Sequence, residues 1–301
     1  MHRASLAEVF LTSCQKIGEN RFSLTGQWPR AHTFFTSPDG RRHDPLQAAE
    51  TMRQVGLYLA HSEFNVPLGH HFVMWDLSFT TDHDRLLIGD HPSDLTLTAV
   101  CTDPVWKGKR LSDFGMDITI WRDGESVAHG GGRFTCVSEA TYRRLRGGRE
   151  PVATPDRVPT QGRRGTVRGD QDTGDPAEFG RTRSVDVVLR STDKPGRWLL
   201  SPDPDHPILF DHGGDHVPGM VLMEAARQAA RALLAPGYTL APTSMSTDFC
   251  RYAEFDSPCW IEAHLLTVQQ AGKLTVHVTG HQDGEHVFLA QLQGPVTAAA
   301  A

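Results

Sequence analysis

Pro218-Gly219-Met220-Val221-Leu222-Met223-Glu224-Ala225-Ala226-Arg227-Gln228 decides the fold, because the chain spells the end of this stretch twice. Glu50-Thr51-Met52-Arg53-Gln54 stands 174 positions before Glu224-Ala225-Ala226-Arg227-Gln228, with glutamate, arginine and glutamine at the same spacing. The run from Met220 to about Leu234 is apolar almost all round, which predicts a buried helix. Its earlier copy predicts a helix from about Asp44 to His61, with Asp44 as N-cap and Pro45 in the first turn. Just upstream, His43-Asp44-Pro45 is echoed by His216-Val217-Pro218, which suggests a helix-capping or structural role for the two histidines. Downstream, Asp123-Gly124-Glu125-Ser126-Val127 is answered by Asp283-Gly284-Glu285-His286-Val287, and each Asp-Gly is a hairpin signal between strand-like runs.

A buried helix followed by antiparallel strands, given twice, predicts an α+β architecture in which a curved sheet wraps a central helix. In the first half the strand-like runs are Leu77 to Phe79, Leu95 to Cys101, Gly115 to Arg122 and Ser126 to Cys136. In the second they are Ser184 to Leu189, Ser244 to Arg251, Cys259 to Gln269, Leu274 to Gln282 and Val287 to Leu292. Between the halves, Gly147 to about Arg181 is rich in Gly, Pro and charge and poor in large apolar residues, as linkers are. The expected division is therefore 1–146, a linker over 147–181, and 182–301.

Composition narrows the function. With 301 residues, 39% of them hydrophobic, the chain has room for two domains of ordinary size. A formal net charge of −6 provides no basic footprint for nucleic acid or an anionic membrane. No stretch approaches the roughly 20 apolar residues that span a bilayer. Leu11-Thr12-Ser13-Cys14 has the look of a lipoprotein cleavage box, but the segment before it is short and carries Glu8 where an apolar core belongs. Five cysteines without a C-x-x-C pair argue against a disulfide framework and a thiolate metal site, so a reducing, cytoplasmic setting is expected. The His206, Asp211, His212, Asp215 and His216 loop reads as turn chemistry and not as a metal centre. His129-Gly130-Gly131-Gly132 mimics an esterase oxyanion motif, but the chain has no G-x-S-x-G elbow, so it reads as a glycine-rich strand. No P-loop or dinucleotide fingerprint appears, and no cofactor is expected.

Pro218 to Gln228 is similar to the helix start of hotdog-fold dehydratases and thioesterases that act on acyl carrier protein substrates. Taken with His206-Pro207-Ile208-Leu209-Phe210-Asp211-His212, Asp215-His216-Val217-Pro218-Gly219 and the first-half string from Asp44 through Trp75-Asp76-Leu77-Ser78-Phe79, the chain resembles the A-factor biosynthesis (AfsA) family of double-hotdog proteins. That resemblance implies a tandem double hotdog. It also implies an acyltransferase, which moves a β-ketoacyl group from an acyl carrier protein thioester to dihydroxyacetone phosphate. The ester would then close to a butenolide phosphate, a γ-butyrolactone precursor.

Such chemistry needs a base for the hydroxyl, donors for the developing oxyanion and a cation for the phosphate. Glu224 and Arg227 share a helix face beside Gln228, offering a base or substrate orienter and a phosphate or oxyanion clamp; an ordinary intrahelical or inter-domain ion pair is the competing reading. The resemblance adds Glu50 as a catalytic candidate, and His212 as the nearest counterpart of the dehydratase histidine. Arg53, Gln228, His216 and Gly219 are the expected substrate contacts. Arg143, Arg144, Arg146 and Arg149 form a candidate docking patch for an acidic carrier protein. Two hotdogs in one chain satisfy the usual pairing internally, and a further homodimer is compatible with it. The alternatives are a thioesterase or dehydratase using the same carriers, and a non-catalytic double hotdog that holds an acyl ligand.

Overall fold

The computed structural model describes residues 2–147, 174–235, 237–266 and 273–298; most of the expected linker, 148–173, lies outside them. The first half contains β1 (Leu11–Lys16), β2 (Arg21–Trp28), α1 (Pro45–Ser62), β3 (His71–Thr81), β4 (Ser93–Lys107), β5 (Arg110–Arg122), β6 (Glu125–Val137) and the short α2 (Glu139–Leu145). The second contains β7 (Leu189–Ser191), β8 (Arg197–Leu200), α3 (Gly219–Ala232), β9 (Tyr238–Leu240), β10 (Ser244–Phe249), β11 (Cys259–Leu266), β12 (Lys273–Gln282) and β13 (Glu285–Ala298). The strands form one antiparallel sheet in the order β1-β2-β4-β5-β6-β3-β10-β13-β12-β11-β8-β7, with β9 added beside β13. Read from the two ends, the order is the same six strands met twice, so the halves are related by a pseudo-twofold axis. The seam is β3 against β10, from Thr80 opposite Ser244 to Asp76 opposite Asp248. The tandem double hotdog is thus a single sheet wrapped around two central helices.

Local chemistry explains the elements. Asp44 accepts from the Leu46 amide at 2.9 Å and Pro45 occupies the first turn, so α1 starts where its sequence says. On α3, Met220, Val221, Leu222 and Met223 are all buried, and at roughly 1.5–3 kcal/mol per buried side chain this packing outweighs intrinsic propensity in holding the helix. Asp123-Gly124 and Asp283-Gly284 both take positive φ, 54° and 79° in the first turn and 53° and 80° in the second, the two-residue hairpin geometry their sequence favours. Gly130, Gly131 and Gly132 lie inside β6, where a Cβ would strike the backbone of β3 or β5.

The expected strand from Ser184 to Leu189 is different in the structure. Ser184–Asp186 is a 3₁₀ turn and pairing begins only at Leu189, because the Val188 amide donates to the Gln228 side chain at 2.9 Å and Asp186 is engaged by His206 at 3.0 Å. The first half does the same: Leu6–Glu8 is a 3₁₀ turn ahead of β1, and the Phe10 amide donates to Gln54 at 3.0 Å. The five cysteines are free thiols. Among the described residues no helix is long and apolar enough to cross a membrane.

Candidate active site

Each helix presents a glutamate with no solvent exposure, and each glutamate is held by two arginines and a glutamine. On α1, Glu50 accepts from Arg53 Nε and Nη2 at 2.8 Å each, from Arg3 Nε at 2.9 Å and from Gln54 at 2.8 Å. On α3, Glu224 accepts from Arg227 at 2.9 and 2.6 Å, from Arg181 at 2.8 and 2.6 Å and from Gln228 at 2.5 Å. Isolated burial would raise both carboxyls; the guanidiniums of Arg53 and Arg3, and of Arg181 and Arg227, instead hold each at about 2. Carboxylates so placed are weak proton acceptors at neutral pH, and their fixed position orients the arginines.

The two clusters lock the halves together. Arg3 of the first half donates to the Ile208 carbonyl of the second at 2.8 Å, and Arg181, the last residue of the expected linker, bonds Glu224 of the second half and donates to the Phe34 carbonyl of the first at 2.7 Å. Arg181 also lies 3.9 Å over the Phe34 ring and 3.7 Å from Asp44. Beneath them His32 and His206 play one part: each accepts two backbone amides at Nδ1, so the protonated Nε2 faces an acid, Glu8 at 3.3 Å and Asp186 at 3.0 Å.

The clusters differ in what they face. A cavity of about 1980 Å³ opens between the halves, and Arg3 and Arg53 line it, together with His212 and Gly219; Glu224, Arg227, Gln228 and Arg181 are not among its walls. Glu50 stands one hydrogen bond behind the cavity surface. Partial desolvation, then the charges of Arg53 and Arg3, push His212 below its ordinary pKa, so this wall carries its positive charge on the arginines. Leu57, Phe72, Met74, Leu222 and Phe249 supply apolar surface in the same space, which exceeds the roughly 300–1,000 Å³ of an ordinary ligand pocket. Cations beside this apolar surface suit an anionic group joined to an apolar chain. Among the described residues no group of three or more His, Cys, Asp or Glu side chains is arranged to hold a metal ion.

A model of the A-factor biosynthesis hotdog domain matches residues 1–138 and 166–298. The chain belongs to that family. This AfsA hotdog protein is 47% identical over 288 residues to the 2-oxo-3-(phosphooxy)propyl 3-oxoalkanoate synthase of Streptomyces virginiae, covering 96% of this chain and 93% of the relative. It is 40% identical over 295 residues to the synthase of the same name from Streptomyces coelicolor, covering 98% and 90%. Among solved structures it is similar to the 12:0-ACP thioesterase from Umbellularia californica, with a TM-score of 0.51 at 13% identity over 95% of this chain and 100% of that one. That similarity concerns the fold alone.

Within the AfsA hotdog protein the expected site residues fall into two places. Arg53, His212, His216 and Gly219 line one cavity, with Glu50 fixed behind Arg53. Glu224, Arg227 and Gln228 form the twin cluster away from it. His43 and His216 do not share an environment, contrary to their sequence echo. His43 is buried between Gln47 and Ser93, where burial pushes it down to about 4, while the His216 side chain is 30% exposed and turned toward Asp215. Arg3 and Arg181 were not singled out from the sequence. The available signal was Arg3 to Glu8-Val9 repeated as Arg181 to Asp186-Val187, an arginine five positions ahead of an acid and a valine. Of the docking candidates, Arg146 is turned inward to Glu254 and Asp215, Arg143 pairs with Glu139, and Arg149 lies outside the described residues.

Proposed function

We propose that this protein is a 2-oxo-3-(phosphooxy)propyl 3-oxoalkanoate synthase, transferring a β-ketoacyl group from a carrier thioester to the hydroxyl of dihydroxyacetone phosphate. The observation that carries this reading is the placement of Arg53 and Arg3 on the wall of the interdomain cavity, oriented by Glu50. The near full-length similarity to synthases of that name supports it. Arg53, with Arg3 beside it, takes the phosphate; its planar fork suits bidentate contact, and its own carboxylate fixes the fork before substrate arrives. The acyl chain lies along Met74, Leu222 and Phe249. The donor is an acyl carrier protein, which places the reaction in the cytoplasm, and the product ester is the precursor of a butenolide phosphate.

The test is mass spectrometry of the purified protein with a β-ketoacyl thioester, with and without dihydroxyacetone phosphate. An ester or butenolide phosphate mass that requires both substrates is expected. Free β-keto acid released regardless of the triose phosphate would move the assignment to a thioesterase, and binding without turnover would move it to an acyl-binding protein.

A further inference from the structure

A second polar group on the cavity wall is built from α2 and the loop before α3. Asp215 Oδ1 accepts the Tyr142 hydroxyl at 2.7 Å and lies 2.7 Å from His216 Nδ1. Hydrogen bonds from His216 and Tyr142, together with the Arg146 charge, overcome burial and hold Asp215 well below the usual carboxylate range. An ionised carboxylate only accepts, so His216 Nδ1 carries the proton and Nε2 keeps a lone pair. Among the described residues Nε2 has no hydrogen-bond partner, and His216 lines the same cavity as Arg53.

The surroundings fix the ring. Tyr252 meets it edge-on at 4.6 Å between centroids, and Tyr142 is itself stacked on His71 at 3.9 Å. Arg146 bonds Glu254 with both Nη atoms and covers the Tyr252 face at 4.5 Å. The groups facing His216 are therefore Asp215, Tyr142, Tyr252 and the Arg146–Glu254 pair, with His71 behind Tyr142.

We infer that His216, oriented by Asp215, is the general base of the acyl transfer. The inference rests on the function proposed above. His216 Nε2 takes the proton of the dihydroxyacetone phosphate hydroxyl as that oxygen attacks the thioester carbonyl. The C–O bond forms, the C–S bond breaks, and the imidazolium returns its proton to the departing thiolate, so the histidine ends neutral. Asp215 remains ionised throughout, balancing the transient imidazolium. Asp215 and Tyr142 are positioning residues, since they act through the ring.

The experiment compares full-length wild type with His216→Ala, His216→Asn, Asp215→Asn and Tyr142→Phe. His216→Ala is expected to lower kcat by about 10²–10⁴-fold, to change KM for dihydroxyacetone phosphate by less than about threefold, and to remove the acidic limb of the kcat/KM profile. His216→Asn keeps a donor toward Asp215 without a base, and separates loss of chemistry from loss of fold. ¹⁵N NMR of the imidazole should show the Nδ1–H tautomer in wild type and a shift toward Nε2–H in Asp215→Asn, with Tyr142→Phe intermediate. A wild-type Nε2–H tautomer, or His216→Ala turning over within threefold of wild type with its acidic limb intact, overturns the inference alone. Wild type that forms no ester from the two substrates overturns the acyl-transfer reading and this role with it.

Discussion

Arg53 and Arg227 hold the same place in the repeated motif, and replacing each with methionine separates structure from function. Methionine keeps much of the stem and removes the charge. Each arginine gives its glutamate two hydrogen bonds, at 2.8 and 2.8 Å for Arg53 and at 2.9 and 2.6 Å for Arg227. Stranding a buried charge costs about 3–5 kcal/mol, but Arg3 and Gln54, or Arg181 and Gln228, stay in place, so about 2–3 kcal/mol is expected for either variant. At roughly 2–4 °C per kcal/mol both melting temperatures should fall by about 4–12 °C. The kinetic effects should diverge, because only Arg53 lines the cavity. Losing one charge-assisted contact to phosphate is worth about 1.5–3 kcal/mol, or about 10–150-fold in KM for dihydroxyacetone phosphate. Arg227→Met should leave that KM within about threefold. Titrating the triose phosphate at fixed thioester and quantifying ester by mass spectrometry, alongside thermal melts, decides the matter. A similar rise in KM for both variants, or none for Arg53→Met, refutes the assignment of the phosphate to Arg53.

Acid should weaken the fold in a defined window. Glu50 and Glu224 sit at about 2 against an ordinary 4.5, so their contribution is complete above about 4.5 and disappears as pH falls toward 2. At about 3 kcal/mol per carboxylate, denaturant midpoints should drop steeply between pH 4.5 and 3, and a flat profile there would contradict the charge clusters. Arg181→Met removes the bonds to Glu224 and the Phe34 carbonyl; about 3–5 kcal/mol of destabilisation is expected, with faster amide exchange around Phe34 and Asp44. Gly219→Val puts a Cβ 2.8 Å from Met74 and 3.3 Å from Phe249, narrowing the cavity, so competition between long and short β-ketoacyl thioesters should shift toward the short one. Unchanged preference would place the acyl chain elsewhere.

Much of the fold was legible because its signals are local. Asp44-Pro45, the two Asp-Gly turns and the apolar run of α3 each act through neighbouring backbone, and each forms what its chemistry favours. The duplicated Glu-x-x-Arg-Gln was legible as a motif, but its partners Arg3 and Arg181 lie 47 and 43 residues from their glutamates, distances no local pattern reports. The Ser184 to Leu189 segment has strand composition but does not pair before Leu189, because the Val188 amide is taken by the Gln228 side chain and the Asp186 carboxylate by His206, partners 40 and 20 residues away that no local pattern reports. Nor did the repeat reveal which cluster faces the cavity. The cavity is walled by α2 and by the loop before α3, and the Glu-x-x-Arg-Gln repeat does not encode where these pack.

The reciprocal bonds across the halves change what an inactive variant means. Arg181 ties Glu224 to the Phe34 carbonyl, so the cluster away from the cavity helps fix the relative position of the two halves that enclose it. Glu224→Ala would leave two buried guanidiniums without their shared anion, at a cost on the scale of a domain's whole stability. Its loss of activity would therefore follow from a loosened interface even if Glu224 never meets the substrate. Glu224→Gln, which keeps an acceptor for the arginines, distinguishes the two roles. If Glu224 is a latch, kcat per folded molecule survives in the glutamine variant while stability falls; if it is a base, kcat collapses with the fold intact.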